Sequence, residues 1–334
     1  MAATPTLALL QGAATLDSWH ERMGSRVYGY GTKSQGADQS SEAKPAWVRL
    51  IANGGSRDGG KSYGTGAGDK SVSPGIDYDT YALQLGMDFY RKQSSGNARQ
   101  SAGGYIALGQ TSGDIDGWNY GKQQWGNAGK SRVEGKSLGL YWTGIAERGQ
   151  YLDAVLQYTD YDVKTSALGA SSTKSGGKGF AASLEGGIPY AVNDSWTLTP
   201  QAQLRWQHVS LGKVDVTESG QRIGGYDFGN ANSLWGRLGV QATYQTQPNS
   251  KLWLRADLMR EFKGESQAQY QATQGSAAPV FQNSLKGTAV GLTGGIDQQI
   301  NKQLAVYGSV SYATGVGSNK GDAWSAKAGL RWNW

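Results

Sequence analysis

Two histidines, His20 and His208, and no cysteine are the whole stock of imidazole and thiol in this chain. A nucleophilic Ser/His/acid set needs one imidazole within hydrogen-bond reach of both the nucleophile and an orienting carboxylate. His208 falls on the apolar parity of an alternating stretch and His20 lies in a helical segment, so neither is placed for that chemistry. No pair of His or Cys stands at metal-ligand spacing. No catalytic, cofactor-binding or metal residue is therefore assigned, and no enzymatic activity or cofactor is expected. The residue types do support ion pairing. Arg49, Asp88, Asp153, Glu185, Arg205, Arg237, Arg255, Asp257, Glu261, Lys327 and Arg331 all occupy the polar parity of alternating stretches, with both signs present. Near the N-terminus Leu16, Trp19, His20 and Met23 recur at helical spacing, with Glu21 and Arg22 among them. Two arrangements fit: inward charges that satisfy one another and water, or charges that contact this helix.

Such charges need strands to hold them. From Ala43 to Trp334 apolar and polar residues alternate with period two, the strand period. Trp196, Leu198, Pro200, Ala202, Leu204 and Trp206 take one parity, while Thr197, Thr199, Gln201, Gln203, Arg205 and Gln207 take the other. Twelve strands are predicted, at roughly 43–53, 76–91, 102–114, 131–146, 150–164, 177–190, 195–211, 233–246, 250–263, 285–299, 303–314 and 323–334. Long connections (54–75, 115–130, 212–232, 264–284) alternate with short ones (147–149, 191–194, 247–249, 301–302). Short turns at one rim and long loops at the other, with Trp and Tyr ending the apolar stripes as interfacial girdles, describe an outer-membrane barrel. Thr15 to Gly24 predicts a helix, with Leu7, Leu9 and Leu10 as an upstream extension past Pro5. Gly31 to Ser41 predicts a flexible linker. The chain thus divides into a lumen helix and linker over 1–42 and a barrel over 43–334.

Composition narrows the class. The 51 glycines among 334 residues are about twice the ordinary ~7%, and charged residues, at 17%, fall below the usual ~25%. Twelve Trp and 18 Tyr with only seven Pro exclude a disordered chain. Mean hydropathy is −0.53, and the longest apolar stretch, near Leu7 to Leu16, has about half the ~20 residues of a spanning helix. A helical membrane protein is excluded. A transmembrane β-barrel is not, because lumen-facing residues dilute its lipid-facing ones. The net charge of +6 is scattered, without a block of like charge or a basic helix, which argues against nucleic acid. Lack of Cys suits passage through an oxidising compartment. The N-terminus has no charged n-region followed by a continuous apolar h-region, so an export signal is expected upstream.

The predicted fold is an all-β transmembrane barrel of 12 antiparallel strands with an N-terminal α-helix plugging the lumen. Such a barrel is wider than the eight-stranded kind that side chains fill. A helix with its side chains is about 10–12 Å across, so one helix fits, and outer-membrane lipid is the partner of the outer face.

Several segments carry a further signal: "LDSWHERMG" at Leu16 to Gly24, "WVRL" at Trp47 to Leu50, "YLDAVLQYTDY" at Tyr151 to Tyr161, "SLEGG" at Ser183 to Gly187, "TPQAQLRW" at Thr199 to Trp206 and "GRLG" at Gly236 to Gly239. In order and spacing they resemble the C-terminal translocator β-domain of monomeric autotransporters (type V secretion), over essentially the whole chain. The resemblance implies a monomer in the bacterial outer membrane that secretes its own N-terminal passenger to the cell surface and keeps a residual helix in the pore. Leu330, Trp332 and Trp334 resemble the signal read by the barrel-assembly machinery. Some relatives cut themselves inside the barrel with an Asn of the helix; residues 1–24 contain no Asn, and that reaction is not carried over. A porin or a barrel hydrolase using the long loops are the alternative readings.

Overall fold

The structure, a computed structural model, describes residues 3–24, 45–58, 74–94, 98–119, 124–167, 172–218, 220–273, 280–317 and 321–333. The expected linker at Gly31 to Ser41 and the terminal Trp334 lie outside the described residues.

Two helices come first, α1 (Thr4–Ala14) and α2 (Trp19–Met23). Pro5 sits in the first turn of α1, where its missing N–H removes no helical bond. The helix expected over Thr15 to Gly24 with its upstream extension is not continuous: it is helical only from Trp19 to Met23, and Leu16 lies in the break that separates this turn from α1. The cause is Ser18. Its backbone is extended (φ −61°, ψ 153°) and its Oγ accepts from the Glu21 N–H, satisfying a first-turn donor that has no helical partner. Ser18 Oγ also donates to the Glu21 carboxylate at 2.7 Å, so the S-x-x-E pattern starts a new helix here. Gly24, at φ 69°, ends it.

The described strands are β1 (Ala46–Arg57), β2 (Gly75–Gln93), β3 (Arg99–Asn119), β4 (Gln124–Ile145), β5 (Tyr151–Ala167), β6 (Thr173–Gly187), β7 (Tyr190–Ala191), β8 (Trp196–Leu211), β9 (Val214–Glu218), β10 (Gln221–Asp227), β11 (Asn230–Gln247), β12 (Ser250–Glu261), β13 (Glu265–Ala272), β14 (Val280–Ser284), β15 (Gly287–Gln299), β16 (Leu304–Val316) and β17 (Gly321–Trp332). Twelve of them form the wall: β1 to β6, β8, β11, β12, β15, β16 and β17 pair in that order, all antiparallel. Pairing of β1 with β17, from Ala46↔Trp332 to Arg57↔Gly321, closes the ring. Closure leaves no unpaired backbone edge to face lipid, the condition for crossing a membrane with strands.

Three expected loops hold more structure than their composition suggests. β3 and β4 continue their ladder to Asn119↔Gln124, so most of 115–130 is paired strand. The connections 212–232 and 264–284 carry the hairpins β9–β10 and β13–β14, which pair with each other from Gly224↔Ala272 to Asp227↔Gln269. A period-two reading misses them because the strands are only five to eight residues long.

Alternation sorts the wall into two faces. Leu156 is 64% exposed and its neighbour Gln157 only 4%. Trp196, Trp206, Trp324 and Trp332 lie on the outer face, as girdle residues should. Many aromatics, however, point inward, contrary to the expectation that they belong to girdles. Tyr105 lies opposite Gly139, Tyr141 opposite Gly103, Trp253 opposite Gly295 and Tyr307 opposite Gly329 on the neighbouring strands. A Cβ at any of these glycines would run into the ring. Part of the high glycine content is thus the inner counterpart of the aromatic content.

Inside the wall the two helices pack against separate apolar clusters. Leu7, Ala8 and Leu9 of α1 meet Ile115, Val133, Val163, Val209 and, from the long connections, Phe228, Ala268 and Leu285. Leu16, Trp19 and Met23 meet Trp47, Tyr105, Tyr141 and Tyr151.

Candidate pore-helix site

The N-terminal segment is tied to the wall along its whole length. At the long-loop end, Thr4 Oγ1 lies 3.0 Å from Ser131 Oγ on β4, and Thr6 Oγ1 2.9 Å from Ser266 Oγ on β13. Midway, Thr15 Oγ1 donates to Gln157 at 2.8 Å. A cross-strand glycine pair, Gly109 and Gly135, leaves a recess in the wall that the buried Gln11 side chain fills. These contacts of α1 are apolar, hydroxylic or amide and carry no charge.

From Asp17 onward the chemistry is ionic. Asp17 bridges two strands at the closing seam, Oδ2 to Arg49 on β1 at 2.9 Å and Oδ1 to Lys327 on β17 at 2.8 Å. Glu21 pairs with Arg255 at 3.0 Å and with Lys327 at 2.8 Å. Arg22 donates to Asp153 at 2.7 Å and its guanidinium stands 4.8 Å from the centre of the Tyr141 ring. His20 Nε2 lies 2.8 Å from Asp297, its Nδ1 near Gln241, and its ring meets Trp253 edge-on. The backbone N–H of Trp19 donates to Glu185 at 3.1 Å while its ring lies 4.6 Å from that of Tyr151. Backbone groups are received too: Arg331 donates to the Met23 carbonyl, Tyr307 to that of Arg22 and Arg205 to that of Leu16.

The inward charges singled out in the sequence therefore divide by partner. Arg49, Asp153, Glu185, Arg205, Arg255, Lys327 and Arg331 lie against residues 16–23. Arg237 and Asp257 pair with each other at 2.9 Å. Asp257 also receives Arg255, and Arg237 faces Glu185, so this pair orients two groups that touch the helix. Asp88 accepts from Tyr141 at 2.6 Å. Glu261 is placed differently: near the long-loop rim it accepts from Ser233 and the Leu234 N–H, tying β11 to the end of β12 rather than holding the helix. Asp17, Asp297, Gln241, the inward tyrosines and Gln84, which accepts from Arg49 and donates to the Thr15 carbonyl, were not among the residues expected at this site. For Asp17 the signal was its position just before an S-x-x-E pattern; for the others it was parity alone.

His208 shares a hydrogen bond with the Asn232 amide at 2.8 Å and lies parallel to Trp206 on the outer face. An amide partner on that face does not orient a base, which leaves the hydrolase reading without its central residue. Leu330 and Trp332 point outward on β17, each nearly half exposed.

A closed twelve-stranded barrel with short turns at one rim, extended hairpins at the other and a charged segment running down its lumen has the architecture of an outer-membrane β-barrel. The autotransporter β-domain family model matches residues 46–311, and the chain belongs to that family. It is 28% identical over 278 residues to the pertactin autotransporter of Bordetella bronchiseptica, an alignment covering 80% of this chain and 27% of the relative. The chain thus spans about a quarter of the length of that relative. Among solved structures it resembles the β-domain of the Bordetella autotransporter BrkA (TM-score 0.60, 21% identity, 88% of this chain and 100% of that one). It also resembles the translocator domain of NalP from Neisseria meningitidis (TM-score 0.66, 15% identity, 99% of this chain and 98% of that one).

Proposed function

We propose that this chain moves a segment N-terminal to it across the outer membrane to the cell surface, and that residues 3–24 then remain in the lumen and close the pore. The single observation that carries the reading is the direction of the lumenal segment. Its first residues bond to Ser131 and Ser266 at the long-loop rim, and its last to Tyr307 and Arg331 near the short-turn rim. In an outer-membrane barrel the long loops lie outside, so anything joined ahead of Ala3 would leave on the outer side. The division into a lumen helix and linker over 1–42 and a barrel over 43–334 belongs to the same proposal, as does action as a monomer, which the self-closed seam supports. The outward alternation of Leu330 and Trp332 supports recognition by the barrel-assembly machinery.

Two measurements test it. An epitope fused ahead of Met1, behind an export signal, becomes accessible to protease on intact cells; an epitope confined to the periplasm overturns export. In planar bilayers the full chain conducts far less than the chain lacking Met1 to Gly24; equal conductance overturns pore closure.

A further inference from the structure

Residues 17–24 are held in a different way from residues 3–16. Along α1 the wall offers apolar packing and a few hydroxyls. Along Asp17 to Gly24 it offers a set of charges whose signs match residue by residue. The two acids, Asp17 and Glu21, face the cations Arg49, Arg255 and Lys327. The Arg22 guanidinium faces Asp153, and His20 Nε2 shares a hydrogen bond with Asp297. Ser18 Oγ receives Arg255, so even the cap hydroxyl is read by the wall. Every one of these partners belongs to a barrel strand.

We infer that the short-turn half of the lumen is a peptide-binding socket, whose ligand is a free helical peptide of the pattern acid-Ser-Trp-His-acid-Arg, and that covalent linkage to β1 is not needed for the segment to stay bound. The inference rests on the lumenal position of residues 3–24 in the proposal above, and it goes further: the barrel is a receptor for its own segment in trans. Specificity resides in the Arg22–Asp153 pair and the Glu21 pairs. Burying a charge opposite one of like sign, or opposite nothing, is costly, whereas the matched peptide leaves both partners satisfied. The apolar cluster around α1 adds affinity without distinguishing one apolar helix from another.

The full chain, carrying a protease site inserted within residues 31–41, is folded, shown to be a barrel by its heat-modifiable mobility, and then cut. On detergent gel filtration the released N-terminal peptide is expected to co-elute with the barrel, and a labelled synthetic peptide of residues 3–24 to exchange into it slowly. Arg22→Glu leaves the wall unchanged, so the barrel still folds, and its peptide is expected to dissociate about tenfold faster or more, as when a buried pair loses one partner. Arg22→Glu combined with Asp153→Lys restores retention. Wild-type peptide that leaves as fast as the Arg22→Glu peptide overturns the socket, and so does a double variant no better than the single one. Conductance of the uncut chain is read separately. A retained peptide in an open pore overturns pore closure and leaves the socket standing, while a closed uncut pore that loses its peptide on cutting does the reverse.

Discussion

Arg255 serves several partners at once in the lumen: it donates to Asp257 at 2.8 Å, to Glu21 at 3.0 Å and to Ser18 at 3.1 Å. Arg255→Met would leave both carboxylates short of a partner in a buried setting. Removing one member of a buried ion pair costs about 3–5 kcal/mol, and because Glu21 keeps Lys327 and Asp257 keeps Arg237, a loss near the lower end is expected in urea unfolding of the barrel. Gly139 makes the opposite kind of demand. A side chain there would overlap the Tyr105 ring, so Gly139→Val is expected to destabilise by about 1–3 kcal/mol through overpacking, and Gly139→Val with Tyr105→Ser should recover part of that loss in the same measurement. At this scale parity made the inward charges legible in the sequence. It could not tell which of them would touch the helix, because Glu261 and Arg255 share a strand and a face and differ only in depth along the barrel axis.

The helix break is an element-scale device. By ending α1 at Ala14 and restarting at Trp19, the chain swings Asp17 out to reach Arg49 and Lys327, on the first and last strands of the ring. A continuous helix would present Asp17 and Glu21 on one stripe, four residues apart; here the two carboxylates share Lys327 and reach separately to Arg49 and Arg255. Capping by Ser18 was readable from S-x-x-E; the hydrophobic spacing of Leu16, Trp19 and Met23 masked it by fitting an unbroken helix equally well. The paired hairpins β9–β10 and β13–β14 cover the outer half of α1 through Phe228, Ala268 and Leu285. Replacing residues 265–284 with a short turn should therefore speed amide hydrogen exchange in Thr4 to Gly12 and leave Trp19 to Met23 protected. The base of β10 is tied by Lys213, 2.9 Å from Asp227; that contact and the Gly229 N–H hold the Asp227 carboxyl below the usual carboxylate range. A depressed folded pKa stabilises above the unfolded value of about 3.9 and is lost as pH falls through the folded one. Exchange protection of β10 should accordingly be flat from neutral pH down to about 4 and weaken only below it, and Lys213→Ala should move that weakening upward.

For the molecule as a whole, the strand count, the ring and the two-rim asymmetry were legible because lipid outside and a polar lumen inside impose a strict period of two on every wall strand. What lay beyond that period was not: the hairpins inside the long connections, the inward aromatics seated over glycines, and the exact course of the N-terminal segment, all of which depend on contacts between residues far apart in sequence. The antiparallel course of that segment relative to β1 has a mechanical consequence. Since residues 3–24 run from the long-loop rim to the short-turn rim, a pull applied outside the cell to anything joined ahead of Ala3 loads the lumenal contacts in shear, along the axis, with the Asp17, Glu21 and Arg22 pairs strained together rather than one at a time. Behind them the polypeptide is anchored through β1 into the ring. In a single-molecule pulling experiment on a tether attached at Met1, two events are expected in order, release of the segment and then, at higher force, extraction of β1 from its ladders with β2 and β17. A single low-force event would mean that the lumenal contacts bear no load.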